Sequence, residues 1–261
     1  MSKAVIVTGA SRGIGRATTL QLLQHFNSNV IAVARSDQDL CDLKNHAENV
    51  LGIKGRLETV TGDITEEHII EEVVKKCLER WGRIDGIIAN AGVLDPMGNF
   101  VDINLQEWKR HFDVNFFSNI SLIQKSIPYL RTSKGRIITI STGVAAFAHQ
   151  SWSPYCTSKA ALHMLTKCIA VEEPDIVSVS ILPGVVDTTM QATIREQGLK
   201  AQMKQTDYQR YIDLYESKTL VHPDEPGRVL AALVVGGATQ EMSGESYRYN
   251  DPKLSHLLDK K

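Results

Sequence analysis

Nowhere along the 261 residues do about 18 apolar side chains follow one another, which removes a membrane-spanning helix from consideration. Charge of one sign is missing too. The 29 basic and 30 acidic side chains leave a formal net charge of -1, too weak a field to gather nucleic acid or an anionic membrane surface. Cysteine is scarce: Cys41, Cys77, Cys156 and Cys168 fall at no C-x-x-C spacing, so neither a zinc site nor a disulfide framework is expected and the four should remain thiols. Repeats, low-complexity tracts and linkers are absent. The first apolar run, Ala4 to Val7, opens so close to the first residue that no signal peptide is expected. What remains is a composition 43% hydrophobic and 23% charged, that of a globule. The length suits one large domain, residues 1–261, expected in the cytoplasm with small molecules as partners and no metal.

Short β-branched runs alternate with longer helical patterns. AVIVT is followed by a helix over 13–26, NVIAVA by 36–48, RLETV by 65–81, RIDGIIA by 104–131, and RIITI by 153–171, before IVSVSIL. Strands apolar on both sides and separated by one helix each need crossover connections, so they pair in parallel and are covered on both faces. The fold class is therefore α/β, a doubly wound parallel sheet of the Rossmann type. Residues 187–222, rich in Met, Gln and Tyr, keep helical spacing without a strand and are expected to form a substrate lid. A helix over about 224–236 and a last strand, SYRYN, close the chain.

The first turn carries a cofactor signal. In VTGASRGIG, Gly9, Gly13 and Gly15 sit between the first strand and the first helix, where missing side chains let the backbone approach a pyrophosphate at a positive helix end. About twenty residues on, where an NAD site would place an acid, the second strand ends in Ala34-Arg35-Ser36. Arg35, with Arg12 from the glycine turn, suits a 2′-phosphate, so the expected cofactor is NADP(H). Asp37 could reach a ribose hydroxyl, but it also reads as first-turn charge of a helix capped by Ser36.

In SPYCTSK, residues 153–159, Ser153 is a good N-cap and Pro154 a good first helical residue, which puts Tyr155 and Lys159 on one face of a new helix. A free phenol titrates near 10. A cation beside it and a positive helix end would lower that value and make Tyr155 usable as a general acid and base.

Taken together, TGASRGIG at 8–15, Asp63 in GDIT, Asn90-Ala91-Gly92, Asn115, a hydroxyl pair after the fifth strand, Tyr155 with Lys159, and PGVVDT at 183–188 resemble the short-chain dehydrogenase/reductase family over nearly the whole length. By that resemblance Asp63 and Ile64 flank the adenine, Asn90 borders the nicotinamide ribose, Lys159 also holds ribose hydroxyls, and Val186 and Thr188 contact the carboxamide. Ser11, Ile14, Ala91, Gly92, Pro183 and Gly184 fall along the cofactor in the same scheme. Asn115 supports a water relay to Lys159. The family places a serine thirteen positions before the tyrosine, which here is Thr142 with Ser141 beside it; strand alternation lets only one of the two face the site. The reaction implied is hydride transfer from NADPH to a carbonyl carbon while Tyr155 protonates the oxygen, by an oxidoreductase acting on CH–OH groups. Family members commonly pair through the helices at 104–131 and 153–171, so a homodimer or homotetramer is implied.

Within the family, SWSPYCTSKAAL, VEEP and PGVVDTTMQATIRE resemble the sepiapterin reductase branch and fungal benzil reductase-like members. The last strand offers Arg248 where that branch has an acid for the pterin, which argues against a pterin. Leu94, Met97, Phe147, Trp152 and Met190 form a candidate apolar lining suited to a ketone or flat 1,2-diketone. Two other readings stand beside a carbonyl reductase: an NAD-dependent alcohol dehydrogenase, and a non-catalytic NADP(H)-sensing protein.

Overall fold

The computed structural model describes residues 2–257. Seven strands form one sheet: β1 (Ala4–Thr8), β2 (Asn29–Ala34), β3 (Leu57–Thr61), β4 (Gly86–Ala89), β5 (Arg136–Ile140), β6 (Val177–Leu182) and β7 (Ser246–Arg248). Their order is β3-β2-β1-β4-β5-β6-β7, and every neighbouring pair runs parallel. Ile6 stands between Ile31 of β2 and Ile87 of β4, which fixes the register across the centre. The strand order reverses between β1 and β4, and at such a switch point the loops leaving the two strands diverge and open a crevice.

Nine helices flank the sheet among the described residues: α1 (Gly13–His25), α2 (Asp37–Asn45), α3 (Glu67–Trp81), α4 (Leu105–Phe112), α5 (Ser118–Ser133), α6 (Ser153–Glu172), α7 (Thr189–Gln197), α8 (Gln205–Glu216) and α9 (Asp224–Ala232). Alternate residues of each strand serve opposite faces. Val5, Val7, Ala32 and Ile138 pack on Leu22 and Leu23 of α1 and Leu230 of α9. Their neighbours Ile6, Ile31, Ile87 and Ile137 pack on Val73 of α3 and Leu122 of α5. Burying apolar area on both sides contributes roughly 25 cal/mol per Å², which is why the strands read as continuous apolar runs. None of the helices is long and apolar enough to cross a membrane.

Several boundaries differ from the sequence expectation for a local reason. The helix expected over 104–131 is split by a π-helical turn, Asp113–Phe117, between α4 and α5. Further π turns, His46–Val50 and Leu233–Gly237, end α2 and α9 early, the latter with Gly236 at φ 154. RIDGIIA yields a shorter β4 because Asp85, 1% exposed, is drawn into a knot with Lys3 Nζ (3.1 Å), Arg83 Nε (2.7 Å) and the Ala4 N–H (2.8 Å). Finally, Ser153 does not cap α6 but begins it: Cys156 N reaches Trp152 O at 2.8 Å, which pulls the helix start back by one residue.

Candidate active site

The glycine turn is shaped by close approach. Gly9 and Gly13 hold φ of +63° and +52°, in the left-handed region that side chains disfavour. A Cβ on Gly15 would lie 2.2 Å from the Gly9 carbonyl oxygen, and one on Gly9 2.9 Å from Asn90 Nδ2. Behind the turn Asn90 Nδ2 donates to Thr8 O (2.8 Å) and Gly9 O (3.2 Å), while Thr8 Oγ1 accepts from the N–H groups of Asn90 (3.0 Å) and Ala91 (2.9 Å). Helix α1 starts at Gly13 with no side-chain cap and no acid in its first turn, leaving its N–H groups and positive end open to an anion. Ser11 is half-buried on the turn, and Ile14 packs against the first core. This cradle fits the pyrophosphate of a dinucleotide.

At the end of β2, Ser36 caps α2 by accepting from Asp39 N at 3.3 Å, as its position suggests. Asp37 accepts from Thr61 Oγ1 at 2.8 Å, a tie between α2 and β3 that supports its plain structural reading. Arg12 and Arg35 are both exposed, and among the described residues neither side chain has an ion-pair partner. Burial raises the Asp63 carboxyl, but hydrogen bonds from Thr65 N (3.0 Å) and Thr65 Oγ1 (2.9 Å) and the charges of Arg35 and Arg110 outweigh it and hold the group below its usual value. Asp63 is thus an Asx turn beside Arg35 rather than a helix cap, with Ile64 buried next to it.

PGVVDT returns to the glycine turn: a Cβ on Gly13 would come within 3.1 Å of the Thr188 methyl. Pro183 and Gly184, the latter at φ +81°, lead into Val186, which bridges to Val221 and so ties the two ends of the 187–222 segment together. That segment forms α7 and α8. Their Met190, Ile194 and Tyr211 pack with Leu94, Met97, Trp152 and Tyr155 in a third apolar cluster. Four of the five expected lining residues meet there; Phe147 does not, standing 57% exposed beside Gly143.

Tyr155 and Lys159 share one face of α6, with Nζ 5.8 Å from the phenol centroid. Lys159 is 4% exposed and donates to Ile140 O at 2.8 Å. Burial pushes its ammonium down to about 8. The expectation that this cation acidifies the phenol does not hold here. Burial dominates, and Tyr155 rises well above its ordinary value. Its ring lies between His111 and Trp152, at centroid distances of 6.2 and 5.9 Å, each edge to face.

Asn115 sits in the π turn and is fully buried. Its Oδ1 accepts from Val93 N and its Nδ2 donates to Val93 O, both at 2.8 Å. Gly92 lies against both groups: a Cβ there would lie 3.4 Å from Asn115 Oδ1 and 3.6 Å from Lys159 Nζ. The two candidate hydroxyls differ in access. Ser141 is 2% exposed, and its buried Oγ has no hydrogen-bond partner, whereas Thr142 is half-buried.

Sequence reasoning passed over Thr8, Ser158 and His111. The last is legible in hindsight, because it stands four residues before Asn115 on one helical face.

The two sequence signals, one for a dinucleotide and one for a tyrosine with its lysine, meet at the loop after β4, whose Asn90 packs on the glycine turn and whose Gly92 faces Asn115 and Lys159. A family profile described as short chain dehydrogenase matches residues 3–199. A benzil reductase ((S)-benzoin forming) of Saccharomyces cerevisiae is 36% identical over 263 residues, covering 97% of this chain and 98% of that protein. An uncharacterised oxidoreductase of the same yeast is 34% identical over 259 residues, 99% of this chain and all of the relative. The crystal structure of the enzyme KRED1-Pglu superposes with a TM-score of 0.89 at 37% identity, covering 94% of this chain and all of that one. Matched in sequence over most of its length and in fold throughout, this chain belongs to the short-chain dehydrogenase/reductase family of oxidoreductases and is related to benzil reductase.

Proposed function

We propose that this protein is an NADPH-dependent carbonyl reductase that reduces ketones and 1,2-diketones, benzil among them, with Tyr155 as the proton donor. The observation that carries the reading is the Tyr155–Lys159 pair on one face of α6, with Asn115 and Lys159 both against Gly92 of the loop after β4, whose Asn90 packs on the glycine turn. The name of the yeast relative supports the substrate class, and the third apolar cluster supplies a lining for flat aryl groups.

The N–H groups of the Gly9–Gly15 turn would hold the pyrophosphate and Arg12 with Arg35 the 2′-phosphate. Asp63 and Ile64 would flank the adenine. Asn90, Ala91, Gly92, Pro183, Gly184, Val186 and Thr188 would border the nicotinamide end, with Ser11, Ile14 and Ser36 completing the wall. When bound, NADPH supplies the hydride. Everything else falls to the chain. Tyr155, neutral at working pH, gives its proton to the carbonyl oxygen as negative charge develops there. Thr142 donates to the same oxygen, because a hydroxyl sealed at 2% exposure, as in Ser141, is out of a substrate's reach. Lys159 stands close enough to stabilise the phenolate that remains and to hold ribose hydroxyls. Asn115 spends its amide on Val93 and acts by position, keeping the route to Lys159 open. Helices α7 and α8 serve as the lid that excludes water.

Arg248 is exposed at the end of β7, in line with a substrate other than a pterin. Exposed Phe117 of the π turn before α5 and Met164 and Val171 of α6 suit pairing into a dimer or tetramer. The test is NADPH oxidation in the presence of benzil, repeated with NADH. Tyr155→Phe should lower kcat by about 10²–10⁴ with NADPH affinity unchanged. Tight NADPH binding without turnover of any carbonyl compound would point to a sensor, and preference for NADH to an NAD-dependent dehydrogenase.

A further inference from the structure

One buried titratable group inside the catalytic cluster has no role in this scheme: His111, 1% exposed. Its Nδ1 lies 2.7 Å from the Asp95 carbonyl oxygen, which can only accept, so Nδ1 carries the ring proton. Nε2 is then a bare lone pair. It faces Asn115 Nδ2 at 2.8 Å and Ser158 Oγ at 3.0 Å. Asn115 cannot answer in another way. Turning its amide over would set oxygen against oxygen and nitrogen against nitrogen at Val93, losing both 2.8 Å bonds. Ser158 neighbours Lys159 and also reaches Tyr155 O at 2.9 Å, so the imidazole touches the helix that carries both catalytic groups. A single ring thus ties the loop after β4, the π turn and α6 to one another, and the π turn is what brings Asn115 into line.

We propose that His111 is a positioning residue: as a neutral imidazole with its proton on Nδ1, it holds the Asn115 amide and, through Ser158, the start of α6 where Tyr155 and Lys159 can act. The proposal rests on the reductase reading above. Protonation would put an Nε2–H against the Asn115 amide donor and leave Ser158 Oγ to accept it, in a space already holding the Lys159 ammonium. The groups facing the ring are Lys159 and Tyr155 of α6 and Asp95 of the loop, with Asn115 and Ser158 uncharged. Burial lowers the ring's titration most, the Asp95 carbonyl bond opposes it, Lys159 lowers it further and the Asp95 carboxylate opposes again; the balance lies below 6.5. The working form is therefore lost as pH falls through that lowered value.

The test is kcat against pH with NADPH and benzil for the wild type, His111→Gln and His111→Phe, together with ¹⁵N NMR of the histidine rings in the whole protein. The glutamine of H111Q would put a non-titrating acceptor where Nε2 stands. The wild type should lose kcat on the acid side through one titration. In H111Q that titration should vanish while kcat at pH 7 stays within about threefold. H111F, which leaves an Asn115 N–H buried and unpaired, should lose about tenfold in kcat at every pH with NADPH affinity intact. NMR should show an Nδ1–H tautomer that titrates below 6.5. An Nε2–H tautomer, or an acid limb that survives in H111Q, overturns the proposal. Absence of any carbonyl turnover in the wild type defeats the reductase reading instead, and the ring's tautomer and titration still decide the role of His111.

Discussion

Replacing Gly15 by alanine tests the cofactor cradle at its tightest point. The added methyl would lie 2.2 Å from the Gly9 carbonyl oxygen, 2.8 Å from its carbon and 2.6 Å from Asn90 Nδ2. Atoms of this kind rest near 3.5 Å, so β1 and α1 must part by about 1 Å, and the nearest obstacle is backbone with no rotamer to yield. In an open helix the same change would stabilise by about 1 kcal/mol. Overpacking typically costs about 1–3 kcal/mol, and the shift falls on the N–H groups meant for the pyrophosphate. We expect urea unfolding to show a net loss of about 1 kcal/mol or more, and fluorescence titration to show NADPH Kd raised about tenfold or more. As a control, Gly98→Ala, whose methyl would meet only Ile103 Cγ1 at 3.5 Å, should leave both quantities near wild type. A Gly15→Ala protein with wild-type Kd and unfolding midpoint would refute the close-approach argument.

Arg35→Asp removes an exposed, unpaired guanidinium at the end of β2; NADPH Kd should rise about tenfold or more while NADH Kd stays level or falls, read in parallel titrations. Thr142→Ala should lower kcat about a hundredfold with little change in stability, whereas Ser141→Ala, which removes a buried oxygen without a partner, should leave kcat near wild type and stability level or higher. Lys159→Met should abolish turnover yet stabilise the fold at pH 7. A lysine whose folded pKa is about 8 against 10.5 in the open chain opposes folding below 8 by about 3 kcal/mol, and the opposition fades as pH rises from about 8 to 10.5. The gap in unfolding free energy between variant and wild type should therefore shrink over that interval, and a gap independent of pH would show that Lys159 is not desolvated.

The alternation of apolar runs with helical stretches determined the doubly wound sheet, because strands buried on both faces and joined by single helices have almost no other arrangement. Local chemistry was equally legible: three glycines around the start of α1, a serine opening α2, a proline in the first turn of α6, and Tyr155 and Lys159 one turn apart all act through neighbours in the chain. Only the tertiary structure decided matters that depend on distant groups. It buried the Ser141 hydroxyl while leaving Thr142 half-buried, raised Tyr155 where a lowered value was expected, and broke the 104–131 helix at Asn115, whose amide bonds to Val93 across 22 residues. The reason is common to all three. Burial, desolvation and hydrogen-bond completion are properties of a surface that several elements close together, and no one segment carries them alone.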